Sequence, residues 1–421
     1  MSVHTLGIIG LVVIFVLGTV RPVNLGALAL AMTYLVGATV VGESAREMLG
    51  GFPVDLLVLL VGVTYLFGVA TTNGTVARIV EGAARLVQGR RALIPWIVFV
   101  VASLPAMAGA LGSAGVAMLA PLSLRLAERY GIDRRMIGLM VVHGAAAGNF
   151  SPLNVLSAIV TQAVAKGGLE LSPAALFVAN LTYNLVLAVA IFVVYGGLNL
   201  VRTPRRSADS PPVAHLEPGG TPFGRLRLDQ TCTLLALAAV AVAAFRVGPS
   251  IGLMALTAAA LLHLFFSASS VGADKRIAWS VALLVCGIVT YVAALQRYGT
   301  VDAVGAAIAG LGRPHLTALL ICAVAALTSA FASSAGILGT MIPLATPFMV
   351  QGEIGTTGLV IAIAISATVV DATPFSTVGA LVVANADLDE QPRIYRGLLA
   401  WGGVMVLTAP IVTWLLFILP S

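Results

Sequence analysis

Gly148-Asn149-Phe150-Ser151-Pro152-Leu153-Asn154 and Asp371-Ala372-Thr373-Pro374-Phe375-Ser376-Thr377-Val378-Gly379 each interrupt a long apolar run with glycine, proline and small polar residues. The runs they divide, 136–165 and 356–387, are long enough to cross a bilayer, which takes about 20 apolar residues. A helix broken in hydrocarbon leaves backbone N–H and C=O groups unpaired, at several kcal/mol each. Such a break is tolerated only inside protein or beside a water-filled cavity. Paired breaks in corresponding positions of two halves are the best sequence pointer to the binding site of a membrane carrier.

The two breaks belong to an internal repeat. Asn73-Gly74-Thr75-Val76 resembles Tyr298-Gly299-Thr300-Val301, and Gly112-Ser113-Ala114-Gly115 resembles Ser333-Ser334-Ala335-Gly336. Pro121 and Pro152 return as Pro343 and Pro374, 31 residues apart in both halves. Four matches in one order, at offsets of 221 to 225 residues, exceed what a chain rich in Gly, Ala and Leu produces by chance.

Composition agrees. The 421 residues are 59% hydrophobic and 10% charged, against roughly 25% charged in a soluble domain. So few charges cannot cover a water-facing surface, so lipid is the solvent. The net charge of +6 sits in short loops, where it sets membrane orientation rather than binding nucleic acid. Candidate spans in the first half are 5–20, 23–41, 54–71, 92–108, 111–127, 136–165 and 173–200. In the second they are 230–247, 249–268, 277–295, 314–330, 333–351, 356–387 and 394–419. Arg202–Asp229, with five prolines and five arginines, reads as a polar linker. Gly74–Gln88 and Gly299–Gly312 read as amphipathic arms along the membrane surface.

The expected fold is therefore an all-α polytopic membrane protein of two inverted-topology repeats. Each repeat has three scaffold helices, a surface arm, a re-entrant hairpin, a broken helix and a final helix. Taking 92–108 with 111–127 as one hairpin, and 314–330 with 333–351 as its twin, leaves an odd number of spans per half and about 10 in all. Residues 1–200 form the first repeat (1–91 scaffold and arm, 92–200 transport part) and 201–229 the linker. Residues 230–421 form the second (230–313 scaffold and arm, 314–421 transport part). With both termini outside, 18 of the 23 Lys and Arg residues face the cytoplasm, leaving Arg46, Lys166, Arg246, Arg297 and Arg313 outside. The positive-inside rule then puts the linker in the cytoplasm, in a bacterial-type inner (plasma) membrane.

Each break frees N–H groups at a new helix N-terminus, a positive dipole end that favours an anion. Ser113, Val155, Ser334 and Thr377 stand near such starts. The candidate substrate-binding residues are Ser113, Ala114, Gly115, Ser151, Pro152 and Asn154 in the first half. In the second they are Ser334, Ala335, Gly336, Thr373, Pro374, Ser376 and Thr377. Freed carbonyls, amides and hydroxyls suit a hard cation such as Na⁺, and the candidate ligands are Gly112, Ser113, Asn149, Ser333, Asp371 and Ala372. No Lys or Arg lies in either break or either hairpin tip, so a bound anion relies on dipoles, hydroxyls, amides and co-bound cations. Asp371 is the one acid placed deep in the membrane: it either ligates Na⁺, carries a proton, or bonds the loop backbone.

His143 reads as packing, and Asn180, Thr182, Tyr183 and Asn184 as interhelical hydrogen bonding. Cys232, Cys286 and Cys322 lie in apolar runs without metal or disulfide spacing and read as small hydrophobes. No organic cofactor is expected. An intramembrane enzyme pairing His143 with Asp371 gives no reason for repeated breaks, and a passive anion channel is the other alternative.

The order of elements in each half resembles the ion transporter superfamily, in particular the divalent anion/sodium symporters. Arg21-Pro22-Val23-Asn24-Leu25-Gly26, Gly51-Phe52-Pro53 and Leu66-Phe67-Gly68-Val69-Ala70-Thr71-Thr72-Asn73-Gly74-Thr75 resemble the MatC-type malonate/dicarboxylate carriers. The resemblance implies an elevator-type symporter, usually a homodimer, taking up malonate or a C4-dicarboxylate with Na⁺, or alternatively with H⁺. The hairpins and broken helices would move against the scaffold helices. The tips keep Ser113 and Ser334 of the family's Ser-Asn-Thr but continue Ala-Gly, while Ala372-Thr373-Pro374 keeps the family's Ala-Thr-Pro. Asn149, Asn154 and Asp371 are candidates to replace the lost tip ligands. Asn149 stands where Asp371 stands in the second half, and any division of labour between the halves is expected there.

Overall fold

The structure is a computed structural model that describes residues 2–21, 23–76, 78, 91–202, 226–246, 251–300, 303, 313–330, 334–350 and 354–420. Among these residues all regular structure is helical. The first half contains α1 (Val3–Val20), α2 (Leu25–Val36), the short α3 (Ala45–Leu49) and α4 (Val54–Thr72). Helices α5 (Ile94–Met107) and α6 (Gly112–Tyr130) form a hairpin, α7 (Arg134–Gly148) and α8 (Val155–Lys166) flank the first break, and α9 (Pro173–Val194) and α10 (Gly197–Arg202) follow. The second half contains α11 (Leu228–Arg246), α12 (Ile251–Phe265) and α13 (Trp279–Arg297). Then come the hairpin of α14 (Pro314–Ser329) and α15 (Ser334–Val350), α16 (Thr356–Val369) and α17 (Thr377–Ala384) around the second break, and α18 (Gln391–Thr413).

Each expected span holds helix, and the two long runs divide at the expected breaks. Most residues of the two expected arms, and linker residues 203–225, lie outside the described residues. The linker's predicted edges are helical: α10 runs to Arg202 and α11 starts at Leu228. Five segments are long and apolar enough to cross a membrane: Val54–Thr72, Pro173–Val194, Trp279–Arg297, Thr356–Ala384 and Gln391–Ile418. Helix α5, with 14 residues, rises only about 21 Å, short of a hydrocarbon core of about 30 Å. Val178, Leu185, Val186, Val189 and Val193 of α9 and Val404, Leu407 and Ile411 of α18 point outward, as lipid-facing helices require. The chain is a multi-pass α-helical membrane protein. Its cysteines are free; Cys286 and Cys322 are buried and Cys232 half-buried.

Helix pairings recur across the halves. Helix α5 packs along α7 as α14 does along α16, and α7 meets α9 as α16 meets α18. The second arm of each hairpin reaches the other half's break: α6 packs on α17, and α15 on α8. Helix α2 packs on α13 and α4 on α12.

These last two crossings require glycine. A Cβ on Gly287 would fall on the Gly26 backbone, and one on Gly26 on the backbone of Leu283 and Leu284. Likewise a Cβ on Gly62 would fall on the Gly252 carbonyl, and one on Gly252 on the backbone of Val58 and Leu59. Small residues let helix backbones close in lipid, where no hydrophobic drive presses helices together. Asn24-Leu25-Gly26-Ala27-Leu28-Ala29-Leu30 aligns with Ser250-Ile251-Gly252-Leu253-Met254-Ala255-Leu256, and Gly62 with Gly287. The repeat thus extends into the scaffold, a match the sequence reading missed.

Charges join the two halves at one membrane face. Arg134, after the α6–α7 turn, pairs with Asp387 at 3.2 Å and Glu128 at 3.4 Å. Asp133 caps α7 by accepting from the Arg135 N–H at 2.8 Å, and pairs with the guanidinium groups of Arg135 at 2.7 Å and Arg393 at 3.4 Å. Burial pushes the Asp133 carboxyl up, but hydrogen bonds from Arg135 and the charges of Arg135 and Arg393 outweigh it and leave the pKa below its ordinary value. A depressed carboxyl contributes stability that is present above its unfolded pKa and lost as pH falls through the folded one. Asp133→Asn keeps the cap and loses the charge, so it should cost about 1 kcal/mol at pH 7. The gap from wild type should narrow as pH falls below about 4. Thermal unfolding at pH 7 and at acid pH checks this, and an unchanged gap contradicts it.

Candidate functional site

At the first break the chain leaves α7 through Phe150, which is fully buried at φ 62°, the one non-glycine positive φ among the described residues. A bulky side chain in that region costs roughly 1–3 kcal/mol and persists only where its surroundings over-determine it. Three side chains hold this backbone. Ser151 Oγ donates to the Met107 carbonyl at 2.7 Å, and Asn154 Nδ2 to that of Ala106 at 2.9 Å, tying the break to the turn between α5 and α6. Asn180 of α9 donates to the carbonyls of Ala146 at 2.8 Å and Asn149 at 3.1 Å.

The second break is held in the same way. Thr373 Oγ1 donates to the Ala330 carbonyl at 2.8 Å, the counterpart of Ser151 on Met107. Ser376 Oγ lies 2.5 Å from the Asp371 carbonyl and 2.9 Å from that of Thr373. A hydroxyl relay then crosses from the hairpin tip: Ser329 Oγ donates to Ser334 Oγ at 3.1 Å, and Ser334 Oγ donates to the Asp371 carboxylate, with 2.8 Å to each oxygen. No Lys, Arg or His among the described residues lies within ion-pair range of Asp371.

The half-helices begin at Gly112, Val155, Ser334 and Thr377, within a residue of the expected starts. They are not equally open. The N-cap Asn154 accepts from the Leu156 N–H at 2.9 Å, and Ser376 from the Gly379 N–H at 3.0 Å, so α8 and α17 are capped by their own side chains. Helix α6 begins after Leu111 without a side-chain cap. Beside it, Asn149 is 5% exposed, and its Oδ1 would lie 3.9 Å from a Cβ at Gly112. Neither the Asn149 amide nor the Ser113 hydroxyl has a hydrogen-bond partner among the described residues. A buried amide without a partner costs about 1–3 kcal/mol, so this corner is built to receive one.

The predicted residues divide accordingly. The polar atoms of Ser151, Asn154, Thr373 and Ser376 are committed to loop backbone, whereas those of Ser113, Asn149, Ser334 and Asp371 are arranged at the two tips. Gly115 faces Pro105 of its own hairpin, and Gly336 faces Ile288 of α13, on the side away from the break. Ala335, Ala372 and Pro374 are buried, Pro152 half-buried and Thr377 exposed. Ala114 lies in the first turn of α6, its side chain outside what is described, and Ser333 lies outside the described residues. Among the described residues no group of three or more His, Cys, Asp or Glu side chains could hold a metal ion.

His143 is fully buried, as a packing role requires, but it also bridges helices. Trp401 Nε1 donates to His143 Nε2 at 2.8 Å, so Nδ1 carries the proton and donates to Asn184 Oδ1 at 3.0 Å. Asn184 Nδ2 donates in turn to Asn180 Oδ1 at 3.1 Å. The chain runs from α18 through α7 and α9 to the first break, and both ring nitrogens are occupied. His143 is not available as a base for Asp371.

With this geometry in place, likenesses to known proteins become informative. Residues 1–149 match the family model described as the dicarboxylate carrier protein MatC N-terminus. Residues 248–420 match the family model described as a citrate transporter. No curated protein matches the chain. The fold is similar to that of the YdaH transporter from Alcanivorax borkumensis, whose crystal structure was described as having an unusual topology. The TM-score is 0.64 at 15% identity, over 93% of this chain and 96% of that one. Families and fold alike are those of membrane transporters and not of enzymes. The matches in both halves place the chain in the ion transporter superfamily, with carriers of the dicarboxylate and citrate type.

Proposed function

We propose that this protein is a cation-coupled symporter of a small dicarboxylate, malonate or a C4 acid, with Na⁺ as the coupling ion and an elevator-type cycle. One observation carries the reading: each hairpin turn is hydrogen-bonded to the break of its own half, while its second arm packs on the break of the other. Two tips and two breaks thereby form one body with two unlike polar corners. The first corner offers donors: the uncapped N-terminus of α6 with Gly112, the Ser113 hydroxyl and the Asn149 amide. It suits a substrate carboxylate, which helix N-termini favour. The second offers hard oxygens: the Asp371 carboxylate and Ser334 Oγ, with the Ser333 and Ala372 backbone alongside. It suits Na⁺. A cation beside Asp371 offsets substrate charge that no Lys or Arg offsets.

In this reading, 1–91 and 230–313 are the scaffold, and 92–200 and 314–421 move across it. The recurrent helix pairings and the paired glycine crossings support two equivalent halves inserted in opposite senses. The protein would be a homodimer of the inner membrane with both termini outside and the linker 201–229 in the cytoplasm. A second reading uses Asp371 as a proton carrier. What favours it is that this carboxylate has one hydroxyl donor and no cationic partner. Uptake of labelled malonate and succinate into proteoliposomes, under a Na⁺ gradient or a proton gradient alone, tests both. Na⁺-driven uptake supports the first reading, and proton-driven uptake without Na⁺ replaces it with the second.

A further inference from the structure

A cleft of about 380 Å³ opens between α4 and α13 on one side and α8 and α15 on the other. Leu56, Val292 and Pro343 contribute aliphatic wall, and the polar groups are Gln162 and Lys166, one turn apart on α8, with Gln296 on α13. Lys166 has no carboxylate within ion-pair range among the described residues; Asp55, at the start of α4, acts on it only through space. Gln162 and Lys166 lie about 10 and 16 Å beyond Val155 along the helix axis, so the cleft is separate from the breaks and tips.

We propose that this cleft binds an amphipathic monocarboxylate, with Lys166 on the carboxylate, the amides of Gln162 and Gln296 beside it, and a short alkyl body against the aliphatic walls. The volume lies in the range of small-molecule sites, about 300–1,000 Å³, which are mostly apolar with a few placed polar groups. One ammonium and two amides satisfy one carboxylate. A dicarboxylate would press its second charge against Leu56 and Val292 without a partner, a burial that costs far more than it returns. The cleft therefore selects against the proposed substrate and for a single charge on an apolar body. Its occupant also touches both the scaffold helices and the helices proposed to move. It would hold them together and inhibit without competing with substrate, a consequence that rests on the elevator reading above, whereas the binding itself does not.

Equilibrium dialysis of labelled octanoate against purified protein in nanodiscs tests the binding. Saturable binding is expected, stronger than that of butanoate because each buried methylene adds about 0.8 kcal/mol, or about fourfold. Lys166→Met should weaken it by about tenfold or more. Gln296→Glu should do the same by giving Lys166 an internal carboxylate. Octylamine should not bind, and excess succinate should not displace octanoate. Absence of saturable binding, equal affinity in Lys166→Met, or displacement by succinate overturns the proposal. In proteoliposomes octanoate should lower the maximal uptake rate without changing the substrate KM, and Lys166→Met should resist it. If the protein carries no dicarboxylate, this second arm falls with the carrier reading while the dialysis result stands.

Discussion

Replacing Asp371 with asparagine abolishes the response of uptake to a Na⁺ gradient and lowers the initial rate by about 10- to 100-fold. The magnitude is that of one charge-assisted interaction, about 1.5–3 kcal/mol, at about 1.4 kcal/mol per tenfold. The substitution preserves shape. Asparagine Oδ1 can accept the Ser334 hydroxyl as the carboxylate does at 2.8 Å. The backbone carbonyl of residue 371 still receives Ser376, and Thr373 still ties the break to Ala330. Only the charge is lost, so the melting temperature should change little while cation dependence disappears. Initial rates with and without Na⁺, beside a thermal melt of each protein, separate loss of coupling from loss of fold. A variant that accumulates substrate as well as wild type removes Asp371 from the cation site.

The second large effect is structural. Gly287→Ala should destabilise the protein by about 3 kcal/mol or more, the range of severe overpacking. Its Cβ would fall on the Gly26 backbone, where neither helix has a flexible group to yield. Gly403→Ala in α18 is the control, because a Cβ there meets nothing within 4 Å. Alanine for glycine in an exposed helix interior gains about 1 kcal/mol in propensity, so the two substitutions should move the melting temperature in opposite directions. Gly62→Ala should follow Gly287→Ala, since it would disturb the corresponding crossing of α4 on α12. Equal melting of Gly287→Ala and wild type would mean that the helices do not cross as closely as described.

Much of this was visible in the residues, for identifiable reasons. Glycine, proline and small polar residues inside apolar runs have few places to go in lipid, so the breaks at 149–154 and 371–376 fall where the sequence puts them. The helix starts at Val155 and Thr377 follow from Asn154 and Ser376, both good N-caps. The same chemistry concealed their role. A residue that caps a helix or clamps a loop looks, in sequence, like one that contacts a ligand. Ser151, Asn154, Thr373 and Ser376 were candidates for substrate and turn out to satisfy the backbone. What separates them from Asn149 and Ser113 is the presence or absence of a partner, which only three dimensions reveal. The glycine crossings were legible in principle: Leu25-Gly26 and Ile251-Gly252 share an offset of 226 residues. They pass unnoticed because glycine is common in this chain. The bond from Trp401 to His143 spans 258 residues, and no local pattern could announce it. The expected contrast between Asn149 and Asp371 survives in sharper form: one is a buried amide without a partner, the other a carboxylate met by a single hydroxyl.

The carrier reading is tested most directly by accumulation. Purified protein in sealed liposomes is given labelled malonate or succinate outside and an inward Na⁺ gradient. The internal concentration should rise above the external one, and then fall back when an ionophore dissipates the gradient. Equilibration to the external concentration and no further, whatever ion gradient is imposed, would contradict coupled transport and describe a passive pore.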